Sequence, residues 1–335
     1  MKITEKIYQN YVDKAGDWRR PHLGASVIGK PCKRAIWYSY HWCMEPKTQK
    51  DGRMLRLFQT GHREEVRIIQ ELRDNGINVI SHTPDGNQIH LQDPQCPHFS
   101  GSVDGVGYGF EYDDTPDKID SPVLIEIKTM ATAGFKRLQA KGVKAEKPEH
   151  YAQMQMYMHW TQNTTAPIKI AKYLCTCKEN ETLHEETVYY LKDDAELYTR
   201  RAHEIIKSPV PPDRIKNASE KSYNCRYCDY IDLCITKTKC AEVNCRTCAH
   251  SDPDPESHHW LCGLIEGGKK ATEDQKLQAH CPNHIFNDQL NPLEFVRADA
   301  DAGTITYLLP SGEQITNGPG HTSSEELRRV VDNGK

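Results

Sequence analysis

The stretch that most constrains this chain is Ser121 to Met130, SPVLIEIKTM. Val123, Leu124, Ile125 and Ile127 make a short apolar, β-branched run directly after a proline, the pattern of a buried strand. Glu126 and Lys128 are set into that run one strand period apart, so both side chains leave the same face. Charges on a buried strand face are costly unless a partner or a bound cation answers them. Two readings follow. One is a same-face ion pair on a half-exposed strand. The other is half of a metal-dependent site for phosphodiester hydrolysis, with Glu126 as ligand and Lys128 beside the attacking water.

The chain has 335 residues, enough for one large core and one or two small appended modules. Its net charge of −4 provides no global positive field, so any nucleic-acid binding has to come from local patches. No apolar run is long enough to span a bilayer, and the opening MKITEKIYQNYV lacks the apolar core of a signal peptide. These features predict a cytoplasmic protein (host cytoplasm if phage-encoded) with no membrane partner. In that compartment thirteen cysteines are better explained by metal than by disulfides, and seven of them lie between Cys225 and Cys262.

Other segments bear on the central strand. After a polar lead-in over residues 1 to 30, Cys32 follows a Gly–Pro turn and precedes KRAIWYSYHW, an aromatic-rich helix or strand. Arg53 to Asn75 predicts an amphipathic helix closed by Gly76, with Leu55, Phe58, His62, Glu65, Ile69 and Leu72 on one stripe. Glu65 and His62 then face inward and Glu64 faces away. Residues 77 to 110 predict short strands. Asp104 sits among Gly101, Gly105, Gly107 and Gly109, which permit close approach of a ligand or another backbone, although Asp-Gly is also an ordinary hairpin turn. Glu111 to Asp120 reads as an acidic, solvated excursion. Beyond the central strand, Lys136, Arg137, Lys141 and Lys144 form a local basic patch suited to DNA phosphates. Residues 147 to 160 predict a helix with Gln153 and Tyr157 on one face and Met154 and Met158 on another. Two strands, 167 to 177 and 182 to 191, carry Cys175 and Cys177 as core thiols, and a helix spans 193 to 207.

The tail is rich in metal-ligand spacings. Cys225-x2-Cys228-x5-Cys234 is a strong metal signal that lacks a fourth ligand, and thiolate softness suits zinc or iron–sulfur equally. Cys245-x2-Cys248, Cys262 and Cys281 supply four sulfurs for a structural Zn2+, with Cys240, His280 or His284 as possible replacements. GLIEGGKK, from Gly263, mimics a phosphate loop but has Lys270 where Ser or Thr is needed and no strand before it, so it is rejected. The end predicts a hairpin about Ser311-Gly312 and a helix capped by Ser323 or Ser324.

Glu65, Asp104, Glu126-x-Lys128 and Gln153-x3-Tyr157, in this order, closely resemble the PD-(D/E)xK nuclease superfamily, in its RecB-like branch. Cys32 before these motifs and Cys225, Cys228 and Cys234 after them resemble that branch's iron–sulfur members. Those include the AddB nuclease domain, CRISPR-associated RecB-like exonucleases and phage-encoded relatives. The resemblance spans about residues 20 to 240. The gap from Asp104 to Glu126 is long for the superfamily. Glu65 also stands where many relatives have histidine, leaving His62 as a substitute ligand.

The resemblance implies an α/β (α+β) core with a mixed central sheet flanked by helices. To this the cysteine spacing adds a small zinc-ribbon-like module. The expected domains are residues 1–239 for the nuclease, 240–290 for the zinc module and 291–335 for a hairpin-and-helix tail. The implied function is a DNA exonuclease, in recombination, repair or phage DNA processing, with a helicase or recombinase as a possible partner. A structure-specific or nicking endonuclease and a non-catalytic DNA-binding scaffold are the alternatives. Asp104, Glu126, the carbonyl of Ile127 and Glu65 or His62 would bind Mg2+ or Mn2+. Lys128 would orient water, and Gln153 and Tyr157 would position Lys128 or DNA. Cys32, Cys225, Cys228 and Cys234 would hold a 4Fe-4S cluster tying the ends of the nuclease domain. In this reading Glu126 and Lys128 are not paired chiefly with each other.

Overall fold

The computed structural model describes residues 2–112, 115–119, 121–265, 270–271 and 281–333. Parts of the acidic excursion and of GLIEGGKK, and His280, lie outside the described residues. The chain resolves into two compact units. The first comprises Met1–Gly16, His22–Lys30 and Thr48–His203, and the second Asp17–Pro21, Pro31–Lys47 and Glu204–Lys335.

The first unit is built on a mixed sheet. Its described helices are α1 (Ile3–Asp13), α3 (Gly52–Asp74), α4 (Thr132–Lys141), α5 (Val143–Glu146), α6 (Pro148–Trp160) and most of α7 (Lys192–Lys207). Its strands are β1 (Leu23–Gly24), β2 (Asn78–Ile80), β3 (His90–Gln92), β4 (Phe99–Ser102), β5 (Gly105–Tyr108), β6 (Phe110–Tyr112), β7 (Thr115–Ile119), β8 (Val123–Met130), β9 (Ile170–Cys177) and β10 (Leu183–Tyr189). The main sheet has the order β10-β9-β8-β5-β2. Strand β8 runs parallel to β9 and antiparallel to β5, so the expected mixed sheet flanked by helices is the fold observed. The α4–α6 segment between β8 and β9 is the crossover that a parallel pair requires.

The pleat of β8 sorts its side chains. Val123, Ile125 and Ile127 pack with Ile68 and Ile69 of α3, Val79 and Phe110. Leu124, Glu126 and Lys128 leave by the other face. Asp51 caps α3 by accepting from the amides of Arg53 and Met54, and Gly76 closes it at φ +85°. Helix α6 opens on Pro148 and buries residues all round, Met154 and Met158 included, so it carries no polar face. A side-chain carbon on Gly101 would fall 2.5 Å from the Tyr157 hydroxyl, which is why only glycine fits beneath α6.

Three local expectations are corrected. The polar lead-in contains helix α1, whose Ile3, Ile7 and Tyr8 stay exposed. The apolar stripe of α3 is buried only toward its end, and Phe58 remains 48 % exposed. The excursion after Glu111 is not all loop, because β7 pairs with β6.

In the second unit, α2 (Lys33–Tyr40) and α8 (Ile231–Cys234) accompany two small antiparallel sheets. One is β11 (Ser251–Pro253), β12 (Trp260–Cys262) and β13 (Lys270–Ala271), and the other β14 (Glu294–Asp299), β15 (Thr304–Leu308) and β16 (Gln314–Asn317). Helix α9 (Ser324–Asn333) follows. Its cap is Ser323, paired with Glu326 in a capping box, whereas the Ser324 hydroxyl is buried against His284.

Arg246 is the polar centre of this unit. It stacks 3.7 Å from the Trp42 ring and donates to the carbonyls of Tyr40 and Pro21, each at 2.8 Å. Arg328 forks onto both oxygens of Glu242 at 2.8 Å. The expected boundary at 239/240 is not the division between the compact units. Arg34 donates to Pro212 O at 2.9 Å and Trp37 to Ser208 O at 2.9 Å, and these bonds hold α2 and the segment after α7 within the second unit. No described helix is long and apolar enough to cross a membrane.

Candidate active site and metal centres

Glu126 is 0 % exposed, and its Oε2 has no hydrogen-bond partner. Its Oε1 is in direct ionic contact with the Lys128 ammonium. Lys128 Nζ also donates to Ile127 O at 3.0 Å and lies 3.6 Å from Asp104 Oδ2. Asp104 is fixed in turn, because its Oδ2 accepts from the Ile127 amide at 2.7 Å. The ammonium is thus ringed by the three groups expected to bind a metal.

This corrects the expectation that Glu126 and Lys128 would not be each other's chief partners. Both leave one strand face, and the ammonium is the nearest answer to a fully buried carboxylate. Burial pushes the Glu126 carboxyl up, against the pull of Lys128. Burial also works against the Lys128 ammonium, but the charges of Asp104 and Glu126 outweigh it and raise its pKa. We take Lys128 as charged, since it faces three oxygens.

Gln153 and Tyr157 lie one α6 turn apart, Gln153 donating to the Tyr157 hydroxyl at 3.2 Å. That hydroxyl donates to Ser102 O at 2.7 Å, so the pair braces the backbone two residues before Asp104. The Gln153 carbonyl oxygen is buried without a partner. His150, on the same α6 face, was not foreseen. Its Nδ1 is 2.8 Å from the Tyr173 hydroxyl, and burial, then Lys128, lowers its pKa to about 3. The helical spacing 150, 153, 157 was the signal that could have found it.

Glu65 borders the site: burial, then the charge of Asp104, raises its pKa, and Gln88 donates to it at 3.2 Å. His62 stands 3.8 Å from Glu65 but its side chain is 76 % exposed. Glu64, expected to face away, is turned inward and accepts from Thr176 at 2.7 Å. Adjacent helix positions straddle the line of contact with the sheet, so both glutamates reach it. Of the basic patch, Arg137 and Lys141 pair with Glu146, Lys144 pairs with Asp194, and Lys136 is exposed on α4.

All thirteen cysteines are free thiols. Cys32 caps α2, its sulfur accepting from the Ala35 amide at 3.4 Å. Cys32, Cys225, Cys228 and Cys234 line one cavity with Tyr38, Ile231 and Ile235. Cys245, Cys248, Cys262 and Cys281 form a second group of electrostatic neighbours. Among the described residues, no three His, Cys, Asp or Glu side chains converge tightly enough to make a ready metal cage. The donor chemistry nonetheless fits. The fully buried Glu126 carboxylate, whose Oε2 has no hydrogen-bond partner, suits a hard divalent cation, and clustered thiols suit soft metals.

No family model and no curated protein matches the chain. Solved structures do resemble it. One titled crystal structure of SSO0001 is 14 % identical, with a TM-score of 0.42, over 69 % of this chain and 95 % of that one. An alkaline exonuclease (LHK-Exo) from Laribacter hongkongensis is 15 % identical, with a TM-score of 0.36, over 59 % of this chain and 90 % of that one. The same exonuclease in complex with dAMP is 12 % identical at 0.35, over 60 % and 90 %. Likeness this slight leaves function to the chemistry of the site itself.

Proposed function

We propose that the protein is a metal-dependent nuclease that hydrolyses DNA phosphodiester bonds from ends. The observation that carries this reading is Glu126: fully buried, its Oε2 without a hydrogen-bond partner, one strand period from Lys128 and beside an Asp104 locked by the Ile127 amide. Mg2+ or Mn2+ would be held by Asp104, Glu126 and the Ile127 carbonyl, with Glu65 or His62 beside them, and when bound supplies Lewis acidity toward a scissile phosphate. Lys128 holds the attacking water by donation and neutralises charge on the phosphate. Tyr157 and Gln153 keep Asp104 in register through Ser102. Lys136 is the side chain of the basic patch left to meet a phosphate.

Cys32, Cys225, Cys228 and Cys234 are read as the ligands of a 4Fe-4S cluster with a structural role in the second unit. The shared cavity and the amide bond to the Cys32 sulfur support this. The direct Lys128–Glu126 contact favours one other reading, a non-catalytic DNA-binding scaffold whose strand carries a plain ion pair.

The test is an assay with Mn2+ on linear DNA labelled at either end and on closed circles. Release of label from linear DNA alone, lost in Glu126→Ala and Lys128→Ala, is the expected result. Nicking of circles converts the reading to an endonuclease. Absence of cleavage on every substrate sinks it in favour of the scaffold, and variants as active as the parent sink the assignment of the site to Glu126 and Lys128.

A further inference from the structure

We infer that Cys245, Cys248, Cys262 and Cys281 form a second metal centre that takes one structural Zn2+ and closes the small sheet of the second unit. Cys245 and Cys248 flank a 3-10 turn, Cys245–Thr247, and three-residue spacing in such a turn puts both side chains on one side. The turn is fixed from below. The Asn244 side chain accepts from the Arg246 amide at 2.9 Å, and the Asn244 amide donates to Thr247 Oγ1 at 3.2 Å. Cys262 arrives at the end of β12, paired with Ser251 three residues beyond Cys248. Cys281 returns through a tight turn in which the His284 amide donates to Cys281 O at 3.1 Å, and Cys248 then bridges to Phe286.

The sulfurs' surroundings agree with this assignment. Cys245 has Cys248, Cys262 and Cys281 among its neighbours, with Arg246 beside them, and burial first and these thiols next push its own thiol up to about 12. The Cys248 sulfur lies beside the backbone amides of His250 and Ile285. The thiols are neighbours without forming a closed cage. A tetrahedral ion about 2.3 Å from each sulfur would draw them together. A sheet with strands of three, three and two residues is too short to stand unaided, so it has need of such a staple.

Two competing ligands are engaged elsewhere, and His280 lies outside the described residues. Cys240 faces Asp332 and Arg328. His284 has both ring nitrogens engaged, Nδ1 with the Ser324 hydroxyl at 2.7 Å and Nε2 with the Thr247 hydroxyl at 3.3 Å.

Elemental analysis of the purified full-length chain should find zinc, with one equivalent lost in Cys245→Ser and in Cys262→Ser and kept in Cys240→Ser and Cys32→Ser. So that the test does not depend on the folding of ligand variants, the parent protein is also titrated with a mercurial thiol reagent while a chromophoric chelator reports zinc. Release of one zinc as four thiols react is expected. Cobalt-replaced parent should show an intense sulfur-to-cobalt charge-transfer band. Zinc retained in both ligand variants, iron in place of zinc at this site, or no zinc in the parent overturns the assignment.

Discussion

In the first unit, the charges of Asp104 and Glu126 are answered from within the chain, because the Lys128 ammonium stands among their oxygens and the Ile127 carbonyl. In the second unit, eight thiols gather in two groups, and Cys245 has Cys248, Cys262 and Cys281 as neighbours. One region has its own cation and the other collects donors that call for one. A hard-metal site of the first kind can be emptied and still fold. A soft-metal site of the second kind has its folding coupled to the ion.

The largest expected effect breaks or keeps that contrast. Displacing thiolate-bound metal with a mercurial should strip hydrogen-exchange protection from β11, β12 and β14–β16, while withholding Mg2+ and Mn2+ leaves β5, β8 and β9 protected. Structural zinc in small modules contributes about 10–16 kcal/mol at neutral pH. That is as large as the ~5–15 kcal/mol by which typical domains are stable, so loss of the ion should unfold the region rather than loosen it. Unchanged protection in the second unit would remove the contrast.

A smaller effect sharpens the first half of the comparison. Lys128→Met leaves the Glu126 carboxylate buried without its cation, and Glu126→Gln leaves the ammonium with only Asp104 and a carbonyl. Each should lower unfolding stability by about 3 kcal/mol. The double variant removes both charges and should recover most of that loss, since apolar replacement of a buried pair is often neutral or better. All three should be inactive. A double variant as unstable as the sum of the singles means that the two charges do not answer each other.

Period-two alternation in SPVLIEIKTM made strand β8 and its two charged positions legible, and three-and-four spacing did the same for α3. Cysteine spacing singled out Cys225, Cys228 and Cys234 and the group from Cys245 to Cys281, whereas Cys32, which lines the same cavity as the first three, has no spacing to mark it. What stayed hidden depends on contacts distant in sequence. Glu64 turns inward because Thr176 waits there, and α2 belongs with the second unit because Arg34 and Trp37 find the carbonyls of Pro212 and Ser208. Helix α1 has no buried residue and so no stripe to read. The bracing of Asp104 by Tyr157 required knowing that Gly101 leaves room for the ring.

The smallest effect asks whether Lys128 is truly the resident cation. His150 is buried against Tyr173, and burial, then the charges of Lys128 and Lys147, lowers its pKa from 6.5 to about 3. The unfolded chain takes up a proton near pH 6.5 that the folded chain refuses until near pH 3. Unfolding therefore binds protons in that window, and stability must fall as pH drops through it, by up to about 1.4 kcal/mol per pH unit. Above pH 6.5 the contribution is constant. Replacing His150 with Gln, which can still bond the Tyr173 hydroxyl, should flatten the decline of the urea midpoint on the acid side, with little change at neutral pH. Lys128→Met should flatten it partly, because the second cause of the depression is gone while burial stays. Equal acid slopes in the parent and His150→Gln would mean that the imidazole already titrates normally in the fold. A slope unmoved by Lys128→Met would mean that the ammonium is not held beside it.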